Sequence, residues 1–150
     1  MVQFHHTVAV ILQRKGATVH CISPHATVFE ALEKLAEKNV GALVVMDGTD
    51  VVGVFSERDY VRKVIIKGFS SKVLEVAEIM SSGPTTVSPK TTIDACMQLM
   101  TDKRCRHLPV VDEGKLVGIV SIGDLVDWVL KAQDHTIGQL EGYITGKYPA

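Results

Sequence analysis

The sequence is poor in aromatic residues and in long apolar runs, and each shortage excludes a class of protein. Its 150 residues include only one Trp, three Tyr and four Phe, and 16 basic residues are balanced by 17 acidic ones. Nucleic-acid binding requires clustered cations and, on single strands, aromatic platforms. No apolar run approaches the ~20 residues that span a bilayer. We therefore expect neither a nucleic-acid partner nor insertion into a membrane.

Cysteine is scarce as well, and its spacing contains no paired motif. Cys21, Cys96 and Cys105 form no Cys-x-x-Cys pair and are odd in number, which fits a reducing compartment. The short apolar patch at residues 8–12 lacks the basic flank and the cleavage site of a signal peptide. We predict a cytoplasmic protein in which Cys96 is a core residue. The arginines beside Cys105 favour a lowered thiol pKa.

Familiar catalytic and metal-binding motifs are also missing. The chain has no P-loop, no nucleophile elbow and no Rossmann fingerprint. None of its six histidines has the spacing of a zinc site. The adjacent His5 and His6 are interpreted as surface residues of a loose leader. The sequence therefore predicts neither an enzyme nor a metal site.

An internal duplication is the main feature that the sequence does contain. Residues 22–64 align with residues 87–129 without a gap, and 13 of the 43 positions are identical. Many of the remaining 30 positions exchange one apolar residue for another. The chain is therefore two copies of one structural unit.

Each copy has the pattern of a β-α-β-β-α unit. A short β-branched run, at residues 19–22 or 85–87, ends at Ser-Pro. Thr27 or Thr92 can cap the next helix, whose apolar residues recur at three-four spacing. Two strands around an Asp/Gly turn then predict a hairpin, and a second helix begins after the motif serine of each copy. The predicted hairpin strands are residues 42–46, 51–55, 107–111 and 116–120.

One such unit is too small to be comfortably stable alone, so the copies are expected to pack together. The predicted fold class is α/β (α+β), with two β-α-β-β-α repeats packed sheet to sheet. A pseudo-twofold axis would relate the repeats, with clefts where they meet. The predicted organisation is a leader (residues 1–18), repeat one (19–68), a connector (69–84), repeat two (85–132), and a C-terminal helix and tail (133–150).

The most informative stretch recurs in both copies as Gly, two apolar residues, Ser, any two residues and Asp. It runs from Gly53 to Asp59 and from Gly118 to Asp124. One interpretation is a capping box, which accounts for the Ser and the Asp but not for the Gly. The other is a ligand site, because a helix start attracts anions and a carboxylate can accept both hydroxyls of a ribose. The two interpretations are compatible.

These paired stretches, the His-Leu-Pro-Val-Val-Asp run at residues 107–112 and the duplication resemble the tandem cystathionine-β-synthase (CBS) domain pair, or Bateman module. The resemblance covers about residues 17–131. It implies a stand-alone, bacterial-type signal-transduction protein that is not an enzyme, with a disc-like pair of domains dimerised through helices. It also implies clefts for a regulatory adenosine ligand such as AMP, ADP, ATP, NAD or S-adenosylmethionine.

In such modules the motif Asp holds the ribose and the motif Ser approaches the phosphate. Carried onto this chain, the resemblance implies an Asp124 cleft closed from repeat one and an Asp59 cleft closed from repeat two. The Asp124 cleft would contain Lys15, His20, Gly41, Ala42, Ile119, Ser121 and Asp124. The Asp59 cleft would contain Ser56, Arg58, Asp59, Met80, Thr85, Arg106 and His107.

The two copies differ in the cations that would serve these clefts. Arg106 and His107 stand before the Leu-Pro-Val run, where repeat one has no basic residue, and Arg58 aligns with Gly123. Arginine offers a permanently charged fork that suits phosphate. We therefore expect the Asp59 cleft to prefer phosphate more strongly than the Asp124 cleft.

Two classes of function remain open. The first is a regulatory sensor of an adenosine nucleotide (AMP, ADP, ATP or NAD) that signals to a downstream protein through a ligand-dependent change in repeat or dimer arrangement. The alternative is a constitutive interaction or scaffold module whose clefts stay empty.

The tail residues Ile137, Leu140 and Ile144 have the spacing of a docking helix. An apolar stripe is assigned to homodimer packing: Tyr60, Val61, Val64, Ile65, Leu125, Val126, Trp128, Val129 and Leu130.

Overall fold

The structure is a computed structural model that describes residues 6–132. The tail predicted to dock and His5 lie outside the described residues. The helices are α1 (Val8–Lys15), α2 (Val28–Lys38), α3 (Glu57–Tyr60), α4 (Val76–Ile79), α5 (Ile93–Lys103) and α6 (residues 122–132), and α3 continues as a π-helical segment over Val61–Ile65. The strands are β1 (Cys21–Ile22), β2 (Ala42–Asp47), β3 (Asp50–Ser56), β4 (Ser81–Ser82), β5 (His107–Asp112) and β6 (Lys115–Ser121).

The first helix of each repeat begins as predicted. The Thr27 and Thr92 side chains each accept a hydrogen bond, at 3.1 Å, from the backbone N–H three residues further on. Helix α2 ends at Asn39 and α5 at Arg104, both with left-handed backbone (φ 53° and 52°), a common way to close a last helical turn. The buried faces are Val28, Ala31 and Leu35 in α2, and Ile93, Cys96 and Met100 in α5.

Two sheets carry the predicted hairpins. One has the order β1-β2-β3-β4, with β1 parallel to β2 and the other neighbours antiparallel, and the second consists of antiparallel β5 and β6. Both hairpins bulge at the same place, between Val45 and Met46 and between Val110 and Val111. The duplication therefore extends to an irregularity of the backbone.

The first strand of each repeat is shorter than predicted. Only Cys21–Ile22 is a strand in repeat one, and only Val87 forms a bridge in repeat two. The difference between the repeats follows from Pro109. Its equivalent, Val44, donates its N–H to His20 O at 3.1 Å, whereas proline has no N–H to donate.

Helix α1 makes part of the leader integral to the fold, so the prediction of a loose leader is wrong for residues 6–15. The N–H groups of Val8 and Ala9 donate to the carbonyls of Thr91 (2.8 Å) and Pro89 (3.0 Å). Val8 is fully buried in the core of repeat two. The helix that precedes repeat one thus covers repeat two.

Helix α4 covers repeat one with the same pair of hydrogen bonds. Val76 donates to Ala26 O at 2.8 Å and Ala77 donates to Pro24 O at 2.9 Å, and these acceptors align with the ones that α1 uses in repeat two. The two helices share the sequence Val-Ala-x-Ile, which begins at Val8 and at Val76. The gapless alignment, if extended, would pair Val8 with Val73 instead. Each repeat is therefore completed by the helix that precedes the other.

The exchanged helices explain the glycine of each motif. A Cβ on Gly53 would lie 2.6 Å from Met80 Sδ and 2.9 Å from Ser81 O, and one on Gly118 would lie 2.7 Å from Leu12 Cδ2. Met80 and Leu12 directly follow the shared Val-Ala-x-Ile sequence. The glycine is thus needed for the close approach of the exchanged helix, independently of any ligand.

The sheet of repeat one is covered on both faces. Leu43 and Val45 belong to the core that packs against the helices of repeat one. Ala42 and Val44 alternate with them and therefore face the opposite side, yet they are buried as well. This double burial fits the predicted sheet-to-sheet packing, and the mixed α and β architecture is as predicted. No helix within residues 6–132 is long and apolar enough to cross a membrane.

Four residues of the predicted dimer stripe have other contacts, and the first is the half-buried Tyr60, which packs against the core of repeat one. Val64 and Leu125 are each 1% exposed and belong to the cores of the two repeats. Trp128 packs against the α1 region, where Arg14 lies over its ring at 5.3 Å. The predicted stripe is therefore too wide to lie on one face of a helix. Some of its residues belong to the cores, Trp128 contacts α1, and most of the others are exposed.

Replacing either motif glycine by alanine should lower the free energy of unfolding, and by more at Gly53. The clash at Gly118 involves the end of the Leu12 side chain, which can rotate, whereas the clash at Gly53 includes the backbone carbonyl of Ser81. We expect urea unfolding to show a loss of about 1–3 kcal/mol for Gly53→Ala and a smaller loss for Gly118→Ala. The double variant Leu12→Ala/Gly118→Ala should lose less than the sum of its single variants. Equal losses at the two glycines would contradict this account.

Candidate functional site

Both Gly-x-x-Ser-x-x-Asp motifs form capping boxes. Ser56 Oγ accepts the Asp59 N–H at 3.2 Å, and the Ser56 N–H donates to Asp59 Oδ2 at 3.0 Å. The equivalent distances for Ser121 and Asp124 are 3.1 Å and 2.8 Å. Each carboxylate is therefore fixed at the first turn of a helix.

The starts of the two hairpins meet at the boundary between the repeats. Ala42 pairs with Ser56 and His107 pairs with Ser121, so each hairpin start lies beside the motif of its own repeat. Across the boundary, a Cβ on Gly41 would lie 4.0 Å from His107 Nε2. The hairpin starts that the resemblance assigns to opposite clefts are thus neighbours.

Both motif carboxylates act electrostatically on His107. Its side chain is half-buried, and this burial is the main cause that lowers the pKa of His107. Asp124 and Asp59 both oppose the shift, whereas Lys15 and Arg106 add to it. At neutral pH the imidazole is therefore uncharged and can both donate and accept a hydrogen bond.

The Asp124 carboxylate is paired with a lysine from α1. Lys15 Nζ lies 2.7 Å from Asp124 Oδ2 and 2.9 Å from Ile119 O. The two charged side chains are 31% and 22% exposed, so water screens the pair only in part. The structure thus brings together three residues that the resemblance implies for this cleft.

The Asp59 carboxylate has different partners. Lys63 Nζ lies 3.2 Å from Asp59 Oδ1, and Ser81 Oγ donates to the same oxygen at 3.4 Å. Neither partner is among the residues predicted for this cleft. The i,i+4 spacing of Asp59 and Lys63 was a readable signal, whereas Ser81 reaches this site only because α4 is exchanged. Met80, predicted for this cleft, lies against Gly53.

The arginines predicted for the Asp59 cleft belong to a cationic cluster. The nearby charge of Arg62, then partial desolvation and the charge of Arg106, lower the pKa of Arg58. Asp59 acts in the opposite direction. Within the described part of the chain, Arg58, Arg104 and Arg106 form no ion pair with a carboxylate. This uncompensated positive charge favours an anion beside the first motif.

The same three arginines line a cavity of about 530 Å³ between α5 and α6. Neither motif aspartate lines this cavity, which adjoins the first motif only through Arg58. Its other walls are mostly apolar. They consist of Met97, Met100, Thr101, Cys105, Ile122, Leu125, Val126, Val129 and Leu130.

Two predicted site residues have weaker links to the motifs. His20 and Thr85 are both half-buried, and His20 O accepts the Val44 N–H. Within residues 6–132 neither side chain forms a hydrogen bond with a motif residue. Their contribution to a cleft stays a prediction.

The cysteines follow burial rather than neighbouring charge. Burial raises the pKa of Cys105, so the expectation from its flanking arginines is wrong. Burial outweighs a backbone hydrogen bond that lowers the pKa of this thiol, and the flanking arginines are not among the causes of the shift. Burial also raises the pKa of Cys96, a core residue as predicted, to about 11. No cluster of three or more His, Cys, Asp or Glu residues in the described chain is arranged to hold a metal ion.

The sequence matches the CBS domain twice, over residues 16–66 and over residues 76–131. The chain belongs to the CBS-domain family. The two matches take in both motifs and α4, and α1 precedes the first match. The resemblance drawn from the paired motifs is thereby confirmed.

Known CBS-domain proteins cover most of this chain. The CBS domain-containing protein CBSX3, mitochondrial, of Arabidopsis thaliana is 42% identical over 127 residues, which are 81% of this chain and 62% of that protein. This chain thus spans about three fifths of the first curated relatives. A CBS-domain protein from Burkholderia ambifaria has a TM-score of 0.81 at 48% identity, covering 85% of this chain and 96% of its own. A CBS domain protein from Pyrobaculum aerophilum, complexed with AMP, has a TM-score of 0.70 at 28% identity, covering 79% and 88%.

Acidification should destabilise this CBS protein through His107. Because the pKa of His107 is lower in the folded state than in the unfolded state, the unfolded chain takes up the proton first as the pH falls. Stability present above about pH 6.5 is therefore lost as the pH falls toward the folded-state pKa. Urea unfolding between about pH 5.5 and 7.5 should show this loss, and His107→Gln should make it shallower. The exposed His25→Gln is the matched control, and a slope that His107→Gln leaves unchanged would refute the assignment.

Proposed function

We propose that this CBS-domain protein is a regulatory module that binds an adenosine nucleotide (AMP, ADP, ATP or NAD) and is not an enzyme. The observation that carries the proposal is the placement of two equivalent Ser/Asp motifs at the repeat boundary, with His107 acted on by both carboxylates. The relative from Pyrobaculum aerophilum that is complexed with AMP supports this choice of ligand.

The motif carboxylates offer what a ribose requires. The side chains of Asp59 and Asp124 are 12% and 22% exposed, so a ligand can reach them. Hydrogen bonds to a charged, partly shielded acceptor are stronger than those between neutral groups. The uncharged imidazole of His107 supplies a further donor and acceptor between the two sites.

The clefts are proposed to differ in their demand for phosphate. On the Asp59 side, Arg58 and Arg106 are near each other and lack a carboxylate partner among the described residues. On the Asp124 side, the cation is Lys15, and Asp124 already neutralises it. An anionic phosphate would therefore balance unpaired positive charge in the Asp59 cleft. In the Asp124 cleft the positive charge is already paired, so a phosphate would stabilise the complex less.

A ligand that touches both repeats would signal by favouring one of their arrangements, because it would have a different affinity for each. The relative from Burkholderia ambifaria is assigned to signal transduction, which supports this role. A constitutive scaffold with empty clefts is the alternative, and it would show no ligand-dependent change. The downstream protein and the cytoplasmic location stay predictions.

A homodimer formed through the helices that end each repeat is part of the proposal. Val61 and Val126 occupy equivalent positions and are 46% and 50% exposed, and the equivalent Ile65 and Leu130 are 53% and 54% exposed. Residues four apart lie on one face of a helix, although Val61 and Ile65 belong to a π-helical segment. The same apolar pair is therefore exposed twice, which favours burial in an assembly.

Nucleotides should stabilise the protein in a way that depends on the motif carboxylates. At least one of AMP, ADP, ATP and NAD should raise the melting temperature, because a ligand that binds the folded state stabilises it. Asp59→Asn and Asp124→Asn keep an oxygen for the capping box but lose the charge. Each should weaken binding at its own cleft by about tenfold or more in calorimetry. Asp47→Asn, at the exposed end of β2, is the matched control.

The phosphate preference is tested in the same titrations by comparing AMP with adenosine. Arg58→Gln and Arg106→Gln should weaken AMP binding at the Asp59 cleft and leave adenosine binding nearly unchanged. No stabilisation by any of the four nucleotides would favour the scaffold alternative. Binding that survives both Asp→Asn changes would place the ligand away from the motifs.

Glutamate in the exposed stripe should dissociate the homodimer. Val61→Glu or Val126→Glu would place a charge in an apolar interface, where it lacks water and a partner. The mass from light scattering after size exclusion should then fall from two chains to one. Val73→Glu, at a valine that is 76% exposed and outside the stripe, is the matched control. A wild-type protein that is monomeric at high micromolar concentration would contradict the assembly.

A further inference from the structure

Helix α1 differs from its counterpart α4 at the end that reaches the Asp124 cleft. Helix α4 ends at Ile79, after which the chain turns into β4, whereas α1 continues past the equivalent Ile11 to Lys15. The longer helix carries Arg14 and Lys15 in its last turn. Repeat two thus receives a cationic helix end where repeat one receives the neutral Ser81.

Lys15 occupies the hydrogen-bonding groups of the Asp124 cleft. Its ammonium donates to Asp124 Oδ2 at 2.7 Å and to Ile119 O at 2.9 Å. The same Asp124 oxygen also accepts the Ser121 N–H at 2.8 Å. An acceptor that a ribose hydroxyl would use therefore already holds two donors.

Trp128 ties the same helix to α6. It aligns with Lys63, which pairs with Asp59 in repeat one, so repeat two has no lysine at that position. Its ring lies 5.3 Å from the Arg14 guanidinium carbon and 5.1 Å, edge-on, from the His6 ring. A cavity of about 220 Å³ separates the two helices here, lined by Ile11, Arg14, Lys15, Asp124, Asp127, Trp128 and Lys131.

We propose that Lys15 is a built-in competitor for the Asp124 cleft, and that a nucleoside which takes Asp124 releases the last turn of α1. This regulation rests on the proposed nucleotide binding. The ion pair is partly exposed, and such pairs are weak enough for a ligand to displace. Val8 and Ile11 are buried, so the start of α1 stays docked when its end is released.

The Asp59 cleft is linked to α4 and has no such link to α1 among the described residues. Its cation, Lys63, lies four residues from Asp59 in the same helical segment and also donates to Ile79 O, at the end of α4, at 3.0 Å. Displacing Lys63 would therefore affect α4 and leave α1 in place. Lys15 comes from 109 residues before Asp124. Ligand binding and α1 docking are therefore coupled at one cleft only, and the coupling acts equally in both directions.

Hydrogen exchange of the full chain tests, without any ligand, whether the Lys15–Asp124 pair holds the last turn of α1. In Lys15→Met, the amides of residues 12–16, including the Gly16 N–H that donates to Leu12 O at 2.8 Å, should exchange about 2- to 5-fold faster. Acrylamide should quench Trp128, the sole tryptophan, more strongly. Asp124→Asn should give the same changes. In the double variant Lys15→Met/Asp124→Asn, the changes in exchange and quenching should be no larger than in either single variant.

The matched control for Lys15→Met is Lys63→Met, which breaks the Lys63–Asp59 pair in repeat one. It should leave exchange at residues 12–16 and the quenching of Trp128 unchanged. Wild-type exchange and quenching in Lys15→Met would overturn the proposal, because α1 would then be held by its core residues alone. Equal changes in both lysine variants would overturn it too, because the effect would not be specific to Lys15.

Adenosine, which has the ribose diol but no phosphate, tests the competition. In an Asp59→Asn background, which disables the other cleft, adenosine should speed exchange at residues 12–16. Lys15→Met should bind adenosine about 2- to 5-fold more tightly, as expected when a partly exposed ion pair is removed. Binding that leaves the exchange unchanged, or that weakens in Lys15→Met, overturns the proposal while nucleotide binding stands. No adenosine binding with or without Lys15 refutes the proposed function for this cleft instead.

Discussion

Helices α1 and α4 each dock on the repeat that they do not precede, and this exchange constrains the rest of the molecule. Each is held by two backbone hydrogen bonds to equivalent carbonyls, at residues 91 and 89 for α1 and at residues 26 and 24 for α4. Buried backbone groups need such partners, so these bonds fix both the position and the register of the helix. Gly53 and Gly118 then allow Met80 and Leu12 to approach. Neither repeat completes its core without a segment from the other half of the chain.

The duplication keeps the backbone and changes the charges. Capping boxes, hairpin bulges and helix docking recur almost unchanged in both repeats. The groups around the carboxylates do not recur: Asp59 has Lys63 beside it, whereas Asp124 depends on Lys15. A symmetric scaffold thus holds two chemically different clefts, and the difference comes from side chains that the scaffold does not constrain.

Local rules made much of the fold and of the motif chemistry predictable from the sequence. Thr27 and Thr92 cap helices because a side-chain oxygen three residues before a free N–H can reach it. The Ser/Asp boxes follow from the same geometry. The exchange of helices was not predictable in this way, since it depends on contacts between distant segments. Its one trace, the Val-Ala-x-Ile sequence at Val8 and Val76, is out of step with the gapless alignment and lies outside it.

The predicted dimer stripe shows a second limit of sequence patterns. Val61 and Val64 are both apolar and close in sequence, yet one is exposed and the other lies in the core. The π-helical segment from Val61 to Ile65 alters the three-four periodicity from which helix faces are inferred. The roles of these residues therefore depend on a backbone irregularity that composition does not reveal.

The shared Val-Ala-x-Ile sequence also has a consequence for synthesis of the chain on the ribosome. Repeat one emerges before α4, and at that stage only the first of these two helices, α1, has been made. The carbonyls at residues 89 and 91, which α1 needs, appear only later. The nascent chain must therefore either hold α1 on repeat one for a time or leave its apolar face uncovered. In either case the native contacts of α1 form late and over a long distance in sequence, a kind of step that is slow and exposes apolar surface.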